Sequence, residues 1–515
     1  MSYHLIDYFA LFLPIVILVY QLTPQKYRKF VLLAANYVFF YIISKKLIVY
    51  IIGATFVTHY VGIWLENVEL TENGGAKAVT KKKRLVLAFG ILANLGILII
   101  LKYLNFFGGT VSAVVGNFID WKYQPIKFMI PIGISFYTLQ IISYLTDVYR
   151  GTQKAEHNVL KIALYLSFFP TIMEGPICRF NQVADDLYEC RGIKFTNIKF
   201  GYQRIVWGLF KKLVIADRLY PTVDNIFDNY DTWGGAMVAF GVLCYTMQLY
   251  MEFSGCMDII IGSGEIFGIK LPENFNQPFM ARDASEFWRR WHITLGTFFK
   301  DYIFYTVSLA KPVKNYAKKV KERYGRNVSK FVAPTISLFC VWSCNGLWHG
   351  ANWTFIFYGM YYFVLIFIEN ITEEPVKKLT TKLKINRESK GYRLFQAIKL
   401  FIIVNVGELF FRANTLTDGF KMFWKMITDF RISEWFEKVG SVKMDEKDLI
   451  VVAIGLIIVT VVGFIREKGI DLREKISHWI LPARWAFWYA AIIVVVIFGA
   501  YGSGYSIVEM IYAGY

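Results

Sequence analysis

Charged residues are scarce in this sequence. Only 19% of its 515 residues are Asp, Glu, Lys or Arg, whereas soluble domains carry about 25%. The shortage accompanies 56% hydrophobic residues and a mean hydropathy of +0.40. These values argue against an ordinary soluble enzyme and predict an all-α polytopic membrane protein, because backbone polar groups that cross lipid must be satisfied within helices.

Recognisable cysteine motifs and a leader peptide are also missing. The six cysteines show no CxxC pair and no His/Cys spacing of a metal site, so we expect no disulfide, no metal and no covalently bound cofactor. The first apolar run starts near Leu5 with almost no basic residue before it and no small-residue cleavage site after it. We therefore expect a first membrane segment there rather than a cleaved signal peptide.

Long apolar runs dominate what is present. A membrane-spanning helix needs about 20 apolar residues, and several of the runs are shorter or interrupted. We expect roughly ten to twelve transmembrane or part-spanning helices in one membrane domain, residues 1–501, followed by a short tail, residues 502–515. The runs lie near 5–22, 30–43, 47–64, 85–104, 128–146, 160–177, 235–253, 331–348, 353–369, 397–411, 449–465 and 485–501.

The formal net charge of +18 has two possible explanations. A basic soluble protein would suggest nucleic acid, but here the excess lies in loops between apolar runs, which is the positive-inside pattern of membrane proteins. The basic loops 77–84, 311–330, 374–393 and 466–484 are predicted to be cytoplasmic. This assignment places both the N terminus and the C-terminal tail outside, and we expect no nucleic-acid partner.

Residues 245–302 combine carboxylates with apolar sequence. Glu252, Asp258 and Glu265 are expensive at membrane depth and tend to face a cavity or a partner, and glycines interrupt the run, so we expect this region to line an interior space. Ion pairs with Arg179, Arg282 or Arg289 are the alternative explanation. At 100° per residue, 284–302 predicts one amphipathic interfacial helix that carries His292 at the edge of its aromatic face.

The stretch VWSCNGLWHGANWTF (341–355) contains a histidine within apolar sequence. A neutral imidazole is a natural general base near pH 7, and Asn345, one turn before His349, can orient it or donate to an oxyanion. Glycines at 346 and 350 permit close approach of a backbone or a ligand. A hydrogen-bonding strut between helices is the alternative role for His349, and interfacial packing is the alternative for the tryptophans.

Five segments, in order, resemble the membrane-bound O-acyltransferase family, and in particular its bacterial alginate O-acetylation and peptidoglycan O-acetylation branch. The WRRWH element and the downstream LWHGANW element are the most specific. The resemblance implies many helices around a thin centre with cytosolic and extracellular funnels. The segments are PIGISFYTLQIISYLTDVYRG (131–151), FFPTIMEGPICRF (168–180), LPENFNQPFMARDASEFWRRWHITLGTFFKDYIF (271–304), NGLWHGANWTFIFYG (345–359) and ELFFRA (408–413).

The resemblance also implies roles for particular residues. His349 is expected to be catalytic and His292 to be the second functional histidine, with a supporting pocket formed by Asn345, Asn352, Arg289, Glu252 and Asp258. The implied donor is acetyl-CoA from the cytosol. The implied reaction is O-acetylation of an extracellular or cell-wall polysaccharide by a protein of the bacterial plasma membrane, in contact with membrane lipid.

The C-terminal tail resembles a motif of relatives and of their small partners. It ends Met510-Ile511-Tyr512-Ala513-Gly514-Tyr515, with Met where the motif has an aromatic residue. We expect Tyr512 to be a transient acyl acceptor, and a terminus that merely contains tyrosines is the alternative. A separate extracytoplasmic serine hydrolase-like acetyltransferase is the expected partner, because this chain has no GxSxG elbow in a strand–helix setting.

Two other functions remain open from the sequence. The same architecture transfers D-alanine to teichoic acid in another branch of the family. A transporter or flippase of lipid-linked sugar, with His349 and the carboxylates as a proton relay, belongs to a different class. Relatives usually have Asp at the position of Glu252 and Tyr at that of Cys256, which bears on the acceptor more than on the chemistry.

Overall fold

The computed structural model describes residues 2–72, 75–116, 118–119, 121–502, 505 and 508. Over these residues the protein is all-α, as predicted, and has a single isolated β-bridge between Phe275 and Trp291. The α-helices are α1 Leu13–Leu22, α2 Gln25–Ser44, α3 Ile48–Thr71, α4 Gly75–Val115, α5 Ile134–Arg150, α6 Val159–Ser167, α7 Phe180–Glu189, α8 Phe195–Leu209, α9 Asp217–Asp228, α10 Gly235–Ile266, α11 Ala284–Arg290, α12 Ile293–Phe299, α13 Tyr305–Ser308, α14 Lys311–Tyr324, α15 Arg326–His349, α16 Trp353–Lys382, α17 Lys390–Arg412, α18 Leu416–Thr428, α19 Ile432–Lys438, α20 Glu446–Glu467, α21 Leu472–Ser477 and α22 Leu481–Phe498.

Shorter helical segments connect several of these helices. Three are π-helical, namely Asp7–Phe12, Phe210–Ala216 and Lys300–Phe304, and four are 3₁₀ turns, namely Lys45–Leu47, Tyr230–Thr232, Pro278–Met280 and Val439–Ser441. π-Helical turns are rare and are often found at functional sites. Two of these three segments adjoin groups of charged or site residues described below.

Eight helical segments of the described chain are long and apolar enough to cross a membrane, which confirms a multi-pass membrane protein. Seven of them bury no more than 39% of their most apolar window, whereas Gly235–Ile266 buries 72%. Helix α10 is therefore an internal helix, and its carboxylates face protein. The segments are Gln25–Thr71, Gly75–Val115, Gly235–Ile266, Arg326–His349, Trp353–Lys382, Lys390–Arg412, Glu446–Glu467 and Leu481–Phe498.

Two of the predicted apolar runs form shorter helices than expected. The run 128–146 becomes helical only at Ile134, after Pro131 and after Gly133, whose φ is +79°. The run 160–177 stops being helical at Ser167, because Pro170 and Pro176 cannot donate a backbone hydrogen bond and disfavour helix in the residue before them. The apolar side chains of their helical parts are mostly buried within protein, so hydropathy alone overestimated these spans.

Residue contacts divide the chain into two compact units. The first comprises residues 1–205 and 259–272 of the described chain. A buried aromatic cluster that includes Tyr3, Tyr8, Phe39 and Phe169 forms part of its core. The Tyr3 hydroxyl donates to the Phe169 carbonyl at 2.8 Å and the Tyr8 hydroxyl to Ser263 Oγ at 3.0 Å, so the polar ends of these rings are satisfied within the core.

The second unit comprises residues 206–258 and 273–508. The expectation that glycines interrupt the run 245–302 is wrong for Gly255, Gly262 and Gly264, because α10 is continuous through all three. A Cβ at Gly255 would lie 2.8 Å from the Gly208 carbonyl oxygen, and in the first unit a Cβ at Gly262 would lie 2.7 Å from that of Gly201. These glycines allow α8 and α10 to pack backbone against backbone.

The expected single helix 284–302 is also wrong. Helix α11 ends at Arg290 and α12 starts at Ile293, with His292 between them in the left-handed region at φ 46°. The break is fixed by backbone pairing with residues 274–276, since Ile293 N–H donates to the Asn274 carbonyl at 3.0 Å and Asn276 N–H to that of Arg290 at 2.9 Å. Periodicity along 284–302 cannot report this pairing with a distant segment.

Candidate functional site

His292 lies in the break between α11 and α12 and is only 2% exposed. Its Nδ1 is 3.2 Å from Asn274 Oδ1, which also accepts hydrogen bonds from the backbone N–H and the hydroxyl of Thr294 at 3.1 and 3.0 Å. Because an oxygen that accepts a backbone N–H can only accept from the ring as well, Nδ1 carries the proton. His292 Nε2 therefore presents a lone pair.

The His292 ring is uncharged at neutral pH. Burial holds the pKa of His292 well below its usual range, and the nearby His349 lowers it further. Phe253 of α10 packs edge-on against the imidazole at 4.8 Å between ring centroids. A neutral imidazole with a defined tautomer can accept a proton or a hydrogen bond through Nε2.

His349 is the last residue of α15 and is 4% exposed. The helical hairpin that holds it depends on close backbone packing, since a Cβ at Gly346 would lie 2.5 Å from the Phe355 carbonyl oxygen of α16. A Cβ at Gly350 would lie 2.5 Å from the Phe355 ring. The two glycines thus permit close approach of protein, one of the two roles expected for them.

Aromatic rings surround the His349 imidazole. The ring centroids of Phe411, Tyr358 and Phe355 lie 5.0, 6.0 and 6.4 Å from it. Trp348 contacts both histidines, at 5.1 Å from His349 and 5.4 Å from His292. The structure therefore brings the two predicted histidines into contact with one indole.

A cavity of about 610 Å³ lies next to this pair. Its walls come from α11, α12, the π-helical turn Lys300–Phe304 and α15, and they include His292, Asn345, Trp288 and the exposed cations Arg289 and Lys300. Asn345 is 5% exposed, and its Oδ1 has no hydrogen-bond partner among the described residues. His349 is not a wall residue of this cavity and lies one helical turn beyond Asn345.

The other residues expected in the supporting pocket serve elsewhere. Asn352 caps α16, since its Oδ1 accepts the Thr354 N–H at 3.1 Å. Glu252 and Asp258 lie on α10 in a buried ionic cluster, and their partners are Lys212 at 3.1 Å and Lys211 at 2.5 Å, not the arginines considered from the sequence. The signal for this cluster was the pair of lysines in the apolar run GLFKKLVIA (208–216).

Lys212 is the centre of that cluster. Its side chain is fully buried, and Nζ lies 2.6 Å from Asp217 Oδ1. Burial alone lowers the pKa of a lysine, but the carboxylates of Glu252 and Asp217 raise the pKa of Lys212 above its usual range. The ammonium group is therefore charged, and buried charges of this kind are tolerated only where opposite charges compensate them.

A buried carboxyl group that bonds to Tyr358, one of the rings packed on His349, was not singled out from the sequence. Glu408 of α17 is 1% exposed, and its Oε1 accepts a hydrogen bond from the Tyr358 hydroxyl at 3.0 Å. Glu408 is the first residue of the element ELFFRA (408–413). An acidic residue at the start of an apolar run was the sequence feature that could have pointed to it. Tyr512 lies outside the described residues.

Comparisons with known proteins identify the family. A model of the membrane-bound O-acyltransferase family matches residues 152–320, and the probable alginate O-acetylase AlgI of Azotobacter vinelandii is 33% identical over 426 residues, which cover 82% of this chain and 77% of the relative. The chain belongs to the membrane-bound O-acyltransferase family. The peptidoglycan O-acetyltransferase of Helicobacter pylori is 30% identical over 67% of this chain and 65% of its own. The teichoic acid D-alanyltransferase of Bacillus subtilis is 28% identical over 48% of this chain and 60% of its own.

Membership in the membrane-bound O-acyltransferase family confirms the predicted enzyme class, so the protein is an integral-membrane acyltransferase. The family match ends at residue 320 and thus includes His292 and the WRRWH element. His349 lies beyond it, within a hairpin whose glycines and cap determine its position. The catalytic roles of both histidines remain predictions.

Proposed function

We propose that the protein takes an acetyl group from cytosolic acetyl-CoA and passes it across the membrane for O-acetylation of an extracellular polysaccharide. The observation that carries the proposal is the pair of buried histidines that both pack against Trp348, beside a cavity of about 610 Å³. The relatives named for alginate and peptidoglycan O-acetylation support acetyl over other acyl groups.

The cavity is suited to the thioester end of an acyl donor. Most of its walls are apolar, Asn345 presents an acceptor oxygen, and Arg289 and Lys300 supply positive charge for phosphate groups. Its walls include α15 residues from Leu338 to Asn345, on the Arg326 side of His349, where α15 follows the basic helix α14. The positive-inside rule makes that side cytosolic, which fits a soluble cytosolic donor.

In this proposal His349 is the general base. Neutral His349 takes the proton of an acceptor hydroxyl while the hydroxyl oxygen attacks the thioester carbonyl. The acyl–oxygen bond forms, the acyl–sulfur bond breaks, and the leaving thiolate takes up the proton to become the CoA thiol. His292, with its Nε2 lone pair and its place in the cavity wall, assists the donor, and Asn345 orients the reacting groups.

We further propose that the acceptor hydroxyl is the phenol of Tyr512 in the extracellular tail, and that a serine hydrolase-like partner then moves the acetyl group to the polysaccharide. Support comes from the described residues that lead to Tyr512, which are held against protein. Ala500 N–H donates to the Leu213 carbonyl at 2.8 Å, and Lys212 donates to that of Val508 at 3.3 Å. The last described residue thus lies only four positions before Tyr512.

The test uses purified protein in liposomes with acetyl-CoA labelled on the acetyl group. We expect label on the protein, mapped to Tyr512, and its loss in His349→Ala and in Tyr512→Phe. The exposed His478→Ala and the neighbouring Tyr515→Phe are matched controls that should keep it. Label on Tyr515, or full labelling of His349→Ala, would overturn the respective assignment.

Measurements of polysaccharide esters in cells distinguish the competing functions. Strains that express His349→Ala or Tyr512→Phe should lose acetyl esters from their extracellular or wall polysaccharide at normal protein levels. If the protein were a D-alanyl transferase, these strains would instead lose D-alanyl esters, and the purified protein would not use acetyl-CoA. A flippase would move substrate with no acyl transfer, so unchanged ester content would rule out the proposal.

A further inference from the structure

A buried hydrogen bond joins two helices at Tyr358, whose ring packs on His349. The Tyr358 hydroxyl of α16 donates to Glu408 Oε1 of α17 at 3.0 Å, and the two side chains are 2% and 1% exposed. The Tyr358 ring stands edge-on to the His349 imidazole, with ring planes at 85°. Glu408 therefore acts on the histidine through the Tyr358 ring, and neither of the two side chains lines the cavity.

The same turn of α17 contributes twice to the surroundings of His349. Phe411, three residues after Glu408, packs at 5.0 Å from the imidazole centroid and at 4.9 Å from the Tyr358 centroid. A Cβ at Gly407 would lie 2.8 Å from the Tyr362 hydroxyl, so the helices are in close contact at this level. Movement of Tyr358 would disturb both its own packing on His349 and that of Phe411.

Packing alone does not account for Glu408. A carboxyl group is costly to bury, and an apolar side chain of similar volume usually serves stability as well or better. Glu408 Oε2 has no hydrogen-bond partner among the described residues, and buried polar atoms left unsatisfied are uncommon and are often retained for function.

We propose that Glu408 and Tyr358 form a positioning pair that fixes the orientation of the His349 imidazole for acyl transfer. The inference rests on the proposed function, in which His349 is the general base. Neither residue touches the reacting atoms. Small displacements of a catalytic group cost about 100-fold in rate, and loss of an orienting partner costs about 10- to 100-fold in metal sites, where such partners are best measured.

A second tyrosine on the same helix supplies a matched control. The Tyr361 hydroxyl donates to the Ile403 carbonyl of α17 at 2.8 Å, so it also bridges α16 and α17. The Tyr361 ring does not pack on His349 among the described ring contacts, and its hydroxyl bonds to a different residue of α17. Tyr361→Phe thus removes an equivalent bond between the same two helices without touching the proposed positioning pair.

The experiment measures acetyl transfer in liposomes at varied acetyl-CoA. Tyr358→Phe and Glu408→Leu should each lower kcat about 10- to 100-fold with the donor KM within about twofold of the parent. Glu408→Gln keeps an acceptor oxygen for Tyr358 and should recover most of that loss. Tyr361→Phe should stay within about twofold of the parent.

A double variant separates positioning from stability. Glu408→Leu with Tyr358→Phe leaves no unsatisfied hydroxyl, so its melting temperature should return to that of the parent, while kcat should remain low. Equal losses in Tyr358→Phe and Tyr361→Phe, or a Glu408→Gln as slow as Glu408→Leu, would overturn the inference. His349→Ala is included because full activity there would refute the proposed function itself.

Discussion

Substitution of Lys212 by Met tests the buried ionic cluster of the second unit most directly. The ammonium group is fully buried, 2.6 Å from Asp217 and 3.1 Å from Glu252. Its removal leaves two buried carboxylates without their cation. Breaking a buried ion pair in this way costs about 3–5 kcal/mol, a large part of the roughly 5–15 kcal/mol that stabilises a typical domain.

The expected result is a fall of at least about 6 °C in melting temperature, since 1 kcal/mol corresponds to about 2–4 °C in domains of 150–250 residues. Melting would be followed in detergent by intrinsic fluorescence. Lys318→Met, on the exposed face of α14, is the control and should leave melting unchanged.

A double variant sharpens the same test. Lys212→Met with Glu252→Gln removes one cation and one anion, so it should melt above Lys212→Met alone, with a coupling of about 0.5–3 kcal/mol. If Lys212→Met melts within about 2 °C of the parent, corresponding to about 1 kcal/mol or less, the lysine does not balance these carboxylates and the reasoning fails.

Three further predictions concern pH, tautomer and donor binding. Burial raises the pKa of Asp217 to about 7 against the opposing effect of Lys212; a raised carboxyl pKa stabilises the fold at low pH, and that contribution is lost as pH rises from about 4 through 7. The melting temperature of the parent should therefore fall more between pH 5 and 8 than that of Asp217→Asn. Equal falls in the two proteins would contradict this. Asn274→Ala removes the acceptor that places the proton on His292 Nδ1 and should lower kcat about 10- to 100-fold, measured as acetyl transfer, with an unchanged rate refuting the assigned tautomer. Arg289→Gln and Lys300→Gln should each raise the KM for acetyl-CoA about threefold or more at constant kcat. The effect should be largest at low salt, where screening is weak; at about 0.1 M salt the Debye length is already only about 10 Å. If the KM is unchanged at about 20 mM salt, these cations do not bind the donor.

Several features of the site follow from local sequence. Low charge and long apolar runs predicted the membrane helices, because burial in lipid depends on composition over about 20 residues. GLWHG fixed the neighbourhood of His349 as well, since Asn345 and His349 are one turn apart on any helix and glycines at 346 and 350 allow α16 to approach. Membership in the family was likewise predictable from the order of five motifs.

Other features depend on residues far apart in the chain. Asn274 sets the tautomer of His292 across a backbone pairing of 274–276 with 290–293, which interrupts the helix that periodicity predicts. Lys211 neutralises Asp258 across 47 positions and Lys212 neutralises Glu252 across 40. Amphipathic periodicity carries no information about such partners.

The sequence by itself determined the membrane class, the family and the two histidines, because each depends on composition or on contiguous motifs. Only the tertiary structure decided which groups surround them. Glu408 reaches Tyr358 across 50 positions, and His292 packs against Trp348, the neighbour of His349, because separate helices converge there. In a buried interior that excludes water, a polar group is satisfied only by the partners that the fold brings to it. Those distant pairings therefore determine the charge and the orientation of the buried site residues.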